Sequence, residues 1–229
     1  STLLDRHVSF AAGEVRLNRM LDYSDEQHTL YALTGSDPTQ AHVSAVDIGD
    51  REITQTKLTT AAGVHTIVPA MREPVGVWIS TSLTQMPTSE VRSTVPNSGR
   101  LGTLPSVAAD PPFVPNVTVQ KVGDGDDSYY TAVVRPRDFD PKKKYPVIVD
   151  VYGGPHHIHV QQAMRNWLVP QWLADQGFVV VAVDNRGTPG RGAKWEKAIY
   201  QRLGTVPLDD QVKGLKLLGE KFPELDLSR

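Results

Sequence analysis

The chain has 229 residues, 39% of them hydrophobic and 22% charged, and its 24 basic and 26 acidic side chains leave a formal net charge of −2. That composition suits a folded globular protein rather than a mainly disordered one, and so even a charge balance provides no long-range field to gather nucleic acid or an anionic membrane. Cysteine is absent, which excludes disulfides and thiolate chemistry but leaves cytosol and periplasm equally open.

No apolar run approaches the ~20 residues that cross a bilayer; the longest, Phe178–Val183, is the size of a strand. The opening Ser1-Thr2-Leu3-Leu4-Asp5-Arg6 lacks the basic and apolar stretches of a signal peptide. A start without Met reads as an excised piece. The length fits one large domain or parts of two.

Residues 14–21, 28–33, 42–48, 65–68 and 75–82 combine β-branched and aromatic side chains with stretches of period 2, and predict half-buried antiparallel strands. Gly35-Ser36-Asp37-Pro38 and Gly49-Asp50 mark turns between them. Strands at this spacing suit a sandwich, a barrel or propeller blades. Residues 96–116 hold five Pro and two Gly, which cannot sustain a helix or a central strand. They read as an extended crossover between units, or as a long surface loop.

The pattern then changes. Residues 116–122 and 128–135 alternate around Gly123-Asp124-Gly125-Asp126-Asp127, a hairpin signature. Residues 145–152 (YPVIVDVY) suit a strand buried on both faces, and 178–183 (FVVVAV) a second. Residues 163–176 are mostly helical in spacing, with Pro170 either kinking the helix or opening its second part. Residues 193–202 are helix-like. Over 208–221, Leu208, Val212, Leu215, Leu218 and Phe222 form one apolar stripe of a helix. Pro207, Asp209 and Asp210 fit its first turn and Lys221 its last. Strand, helix, strand, helix predicts an α/β sheet with parallel strands.

Three features bear on chemistry. The turn Asp150-Val151-Tyr152-Gly153-Gly154-Pro155 leaves the carboxyl end of a buried strand, where ligands gather in open α/β sheets. Tyr152 can offer a phenolic O–H to a developing oxyanion, or can simply end the strand and pack on the next helix. Residues 184–192 (DNRGTPGRG) lie on the same rim but lack a phosphate-loop signature; Asp184 is expected to accept backbone amides while Arg186 pairs across the turn. His156, His157 and His159 are better explained by a polar loop than by a metal site. The acidic run at 124–127 lacks the twelfth-position Glu of a calcium loop, position 135 being Arg135, and Lys142–Lys144 reads as a solvated loop. No metal and no cofactor is expected. No Gly-x-Ser-x-Gly occurs in the chain.

In their order, YPVIVDVYGGP (145–155), VDNRGTPGRG (183–192) and RLGTVPLDDQ (202–211) resemble the prolyl oligopeptidase clan of serine peptidases. The likeness is to its dipeptidyl peptidase IV branch, particularly the bacterial type, and RNW (165–167) and the run 173–177 fit that branch too. It is specific over 125–229 and moderate over 75–115, where 78–91 look like the last propeller blade. Over 1–70 it is mainly compatible.

The resemblance implies the C-terminal blades of a β-propeller, with a crossover, over 1–115. It implies the first part of an α/β-hydrolase domain over 116–229, ending before the nucleophile elbow. It also implies a peptide substrate cut after an N-terminal Xaa-Pro or Xaa-Ala pair by a Ser-Asp-His triad outside these residues. The paired glutamates that anchor the substrate amino group belong upstream. Tyr152 is the one matching catalytic position, as oxyanion donor. On this reading the chain alone is silent, and its half-sheet exposes an apolar edge that favours poor solubility. Members of the branch are often dimers and often extracytoplasmic, so a homodimer and a periplasmic or other extracytoplasmic location are expected. The rival readings are another peptidase or esterase of the clan (an endopeptidase or an acylaminoacyl peptidase) and a non-catalytic protein-binding module.

Overall fold

The computed structural model describes residues 17–48, 54–70, 72–95 and 98–228. Residues 14–16 of the first expected strand lie outside them.

The β-rich half forms two four-stranded antiparallel meanders. The first runs in the order β1 (Leu17–Ser24), β2 (Thr29–Thr34), β3 (His42–Asp47) and β4 (Thr54–Lys57). The second runs β5 (Val64–Pro69), β6 (Val75–Ser82), β7 (Gln85–Ser93) and β8 (Arg100–Leu104). Sequential order with short turns is the build of propeller blades. Tyr31 and Val43 from the first sheet and Ile67 and Trp78 from the second bury into one cluster, and a parallel bridge joins Ala41 to Val64. Apolar burial between neighbours therefore binds blade to blade.

Three strands of this half, β4, β7 and β8, lie outside the predicted segments. β4 (TQTK) is exposed throughout, so it carries no alternation to read. β8 lies inside the stretch expected to be a structureless crossover. It is an edge strand, which the local Gly and Pro content permits where a central strand would fail. Pro87 falls in β7, between two neighbours, yet β8 pairs with β7 only from Ser89 to Arg92. The missing amide of Pro87 thus sits beyond the reach of β8.

The remaining strands form one mixed sheet in the order β13 (Leu225–Asp226), β11 (Tyr145–Asp150), β12 (Val179–Asp184), β10 (Tyr129–Val134) and β9 (Val117–Val122). β11 runs parallel to β12 and β13, while β10 is antiparallel to both β12 and β9. β12 is buried along its whole length. Its alternate residues divide two cores: Val179, Val181 and Val183 face Leu218 of α3 (Val206–Lys221), and Val180 and Ala182 face Trp167 and Ala174. That is the period-2 logic of a strand covered on both sides. β11 was expected to be buried likewise but is only half-buried beyond Tyr145. β13 covers its outer edge at Tyr145 and Pro146 alone. Among the described residues, Val147–Asp150 meet no strand on that side.

The first two helices are shorter than their apolar spacing predicts. Residues 164–167 form a 3-10 turn that runs into α1 (Leu168–Ala174), so Pro170 sits in the first turn, where no amide is needed. α2 (Ala193–Glu196) is a single turn followed by another 3-10 turn. In α3 the buried residues are Val206, Pro207, Asp210, Gln211, Gly214 and Leu218; of the expected stripe, Leu218 is buried and Leu215 and Phe222 pack partly buried on the core, while its first two members face outward. Leu208 is 61% exposed and Val212 44%. Among the described residues no helix is long and apolar enough to cross a membrane.

Candidate active site

Because β11 and β12 are parallel neighbours, their carboxyl ends deliver two loops to one rim. Tyr152 stands two residues beyond the end of β11 and is 41% exposed. Gly153 follows at φ +72°, a left-handed conformation that glycine adopts without strain. This reverses the chain so tightly that the phenol folds back over Gly154: a Cβ at that glycine would lie 3.3 Å from Tyr152 Cζ. The Tyr152 hydroxyl donates a hydrogen bond to the Pro155 carbonyl.

The second loop is fixed by buried polar groups. Asp184, at the end of β12, accepts the amides of His159 (3.0 Å) and Val160 (3.2 Å), as a carboxylate in that turn was expected to do. Burial pushes its carboxyl up to about 6, against the downward pull of those two amides. Asn185 Nδ2 reaches Gly153 O at 3.4 Å, tying the two loops together. Gln211 of α3 in turn donates to Asn185 Oδ1 (3.0 Å) and to Val183 O (2.7 Å).

Arg186 does not pair within its own turn. Its guanidinium grips Asp210 of α3 through Nη2 (2.6 Å) and Nε (2.9 Å), and its backbone amide donates to the same carboxylate at 2.8 Å. Asp210, expected only to meet the helix dipole, is thus a completely buried structural ion. Arg191 lies 3.5 Å over the Trp195 ring and donates to Ser128 O.

Two of the three histidines pack as rings. His157 meets Tyr152 edge-on, with centroids 5.3 Å apart, and His159 at 6.0 Å. His159 also packs against Trp167 at 6.3 Å. Its Nε2 lies 3.0 Å from Asp150 Oδ2 without hydrogen-bond geometry. Burial and the neighbouring His159 hold the His157 imidazole below its ordinary pKa. Among the described residues no group of three or more His, Asp or Glu side chains is arranged to hold a metal ion. Sequence spacing pointed to these histidines only as a cluster, and ring-on-ring packing in a loop has no periodic signal.

A cavity of about 810 Å³ opens where the first blade faces this rim, lined by Arg19, Pro38 and Gln40 on one side and His156, His157 and Glu196 on the other. Tyr152 does not line it. The two halves also touch directly, where Gln162 N donates to Thr39 O at 2.8 Å. A serine–histidine hydrogen bond does occur, between His65 Nδ1 and Ser80 Oγ at 2.9 Å. These residues are register partners in β5 and β6, so it is a cross-strand contact inside a blade. What the rim offers chemically is an exposed phenolic donor on a tight glycine turn, beside a polar network that fixes the turn.

Residues 164–229 match the prolyl oligopeptidase family. Human dipeptidyl peptidase 8 is 38% identical over 102 residues, covering 44% of this chain and 11% of that protein. Mouse prolyl endopeptidase FAP is 35% identical over 114 residues, covering 49% and 14%. The crystal structure of Porphyromonas gingivalis dipeptidyl peptidase 4 superimposes with a TM-score of 0.80 at 26% identity, over 97% of this chain and 32% of that one. The chain thus spans well under two thirds of the proteins it matches. Residues 164–229 thus match the prolyl oligopeptidase family, and over nearly its whole length the chain has the fold of this dipeptidyl peptidase 4, blades and α/β sheet alike.

Proposed function

We propose that these residues supply the oxyanion-binding side of a serine exopeptidase active site, which releases N-terminal Xaa-Pro or Xaa-Ala dipeptides from peptides. The observation that carries the reading is Tyr152: an exposed phenolic hydroxyl at the carboxyl end of a parallel strand, on a turn held by Asn185. A serine from residues outside these 229 attacks the scissile carbonyl. A histidine takes its proton and an aspartate orients that histidine. As the carbonyl oxygen gains charge, the Tyr152 O–H donates to it together with a backbone amide. One such preorganised donor is worth roughly 3–4 kcal/mol in the transition state. These 229 residues contain no Gly-x-Ser-x-Gly, so the polypeptide alone is expected to show no turnover.

The test is the full-length protein on a Gly-Pro chromogenic amide. Tyr152→Phe is expected to lower kcat by about 10²–10³-fold with the fold intact. Full turnover in that variant would remove Tyr152 from the mechanism.

A second reading within the clan, an endopeptidase, draws on the likeness to mouse prolyl endopeptidase FAP. Cleavage of an N-terminally blocked Gly-Pro substrate as fast as the free one would favour it, and cleavage of neither would favour a binding module.

A further inference from the structure

We infer that His157 is a positioning residue for Tyr152, holding its ring through a row of aromatic contacts anchored in the core; the inference rests on the oxyanion role proposed for Tyr152. A tyrosine on a two-glycine turn has little around it to fix its ring. The hydroxyl has the Pro155 carbonyl, but one hydrogen bond at the tip leaves the ring plane free to rock. The second contact is His157, at 5.3 Å and 80°, the edge-to-face arrangement that aromatic quadrupoles favour.

His157 is itself exposed, and alone it would be a loose wall. Behind it stands His159, at 6.0 Å and 64°, which is fixed in three ways. Its backbone amide is bound by Asp184 at 3.0 Å, its Nε2 lies 3.0 Å from Asp150, and its ring packs at 6.3 Å on Trp167. Trp167 is buried, with Nε1 donating to Gln161 O at 2.9 Å. The row Tyr152–His157–His159–Trp167 therefore runs from the exposed rim into the core. His156, just before the row, adopts φ +78°. A non-glycine residue holds that conformation only where its surroundings impose it.

His157 also lines the cavity between blade and rim, with Arg19 of the blade on the other side. Burial and His159 favour the neutral imidazole, so the ring acts as a flat wall rather than as a charge.

Turnover in the full-length protein on the Gly-Pro amide tests this. Small displacements of a catalytic group cost up to about 10²-fold, and His157→Ala is expected to lower kcat about 10-fold with KM within about twofold. His157→Phe keeps a flat ring and is expected to restore kcat to within about twofold of the parent. In a Tyr152→Phe background, His157→Ala should cost nothing more, because its effect passes through the missing hydroxyl. His157 is exposed, so both variants should melt with the parent; if His157→Ala does not, His157→Gln removes the ring with less loss of volume. Three results overturn the inference: unchanged kcat in His157→Ala, a His157→Phe as poor as His157→Ala, or losses that multiply in the double variant. Full activity in Tyr152→Phe is a separate result and overturns the oxyanion role itself.

Discussion

Arg186 and Asp210 join the β12 rim loop to the face of α3 that packs on the sheet, through two guanidinium nitrogens and a backbone amide on one carboxylate. The two partners are unequally placed: Asp210 is wholly buried, while the Arg186 side chain is 31% exposed. Removing one member of a buried pair costs about 3–5 kcal/mol when the other is left buried without a partner. Arg186→Ala takes the counter-charge from a buried carboxylate and leaves it the residue-186 backbone amide and the Tyr129 hydroxyl, 3.2 Å away, whereas Asp210→Asn leaves an arginine that can reach water. Arg186→Ala is therefore expected to be the more damaging, by at least ~1 kcal/mol in urea unfolding. The reverse order would show that the pair is not what holds the loop.

Gly187 is the tightest position on the rim. Its φ is +102°, and an added Cβ would sit 2.9 Å from Ile199 Cγ1. Strain in that backbone region and overpacking each cost about 1–3 kcal/mol, so Gly187→Ala should lower stability by at least ~2 kcal/mol. Gly204, with nothing within 4 Å of an added Cβ, is the control. Gly204→Ala is expected to change the unfolding midpoint little or to raise it.

Asp184 makes stability depend on pH in a defined direction. Its carboxyl is pushed up to about 6 in the fold from its ordinary 3.8, burial being the main cause. A raised pKa means that folding favours the protonated form. The contribution is fully present below about pH 4 and is lost as pH rises through about 6. Two pKa units correspond to about 3 kcal/mol. Asp184→Asn removes the titration while keeping one acceptor for the His159 and Val160 amides. The difference in unfolding free energy between Asp184→Asn and the parent should shift in favour of the variant by about 3 kcal/mol between pH 4 and 7. A pH-independent difference would place the raised pKa elsewhere.

The α3 face gives a fourth expectation. Leu208→Lys changes a residue already 61% exposed and should alter stability by less than ~0.5 kcal/mol. Leu218→Ala empties a fully buried site against Val179, Val181 and Val183 and should cost about 2–5 kcal/mol. Thermal unfolding of the two variants separates the exposed first part of the apolar stripe from the part that reaches the core.

That face shows what could and could not be read in the chain. β12 was legible because a central strand is apolar on both sides, and β2, β3, β5 and β6 because half-buried strands alternate. β4 and β8 were not, since exposed edge strands have no reason to alternate. α3 was found as a helix with Leu215, Leu218 and Phe222 on its core side, but its first turns were misread: Asp210 and Gln211 occupy the buried side there because they bind Arg186, Val183 and Asn185. Those partners lie more than twenty residues away in sequence, and no local period encodes them. Tyr152 was legible from its strand-end glycines. The ring row behind it was not, because the loop path that aligns His157 and His159 is set by Asp184, which arrives from the next strand.

The Tyr152 hydroxyl already has an acceptor, the Pro155 carbonyl. On the proposed role, a substrate carbonyl that reaches it trades one neutral acceptor for another and gains almost nothing. A charged oxygen is a stronger acceptor by roughly a factor of two, so the trade becomes favourable only once the bond to the nucleophile has begun to form. The occupied turn would then act as a threshold. It withholds the donor from the ground state and releases it to the transition state, which is the differential binding that raises kcat rather than affinity.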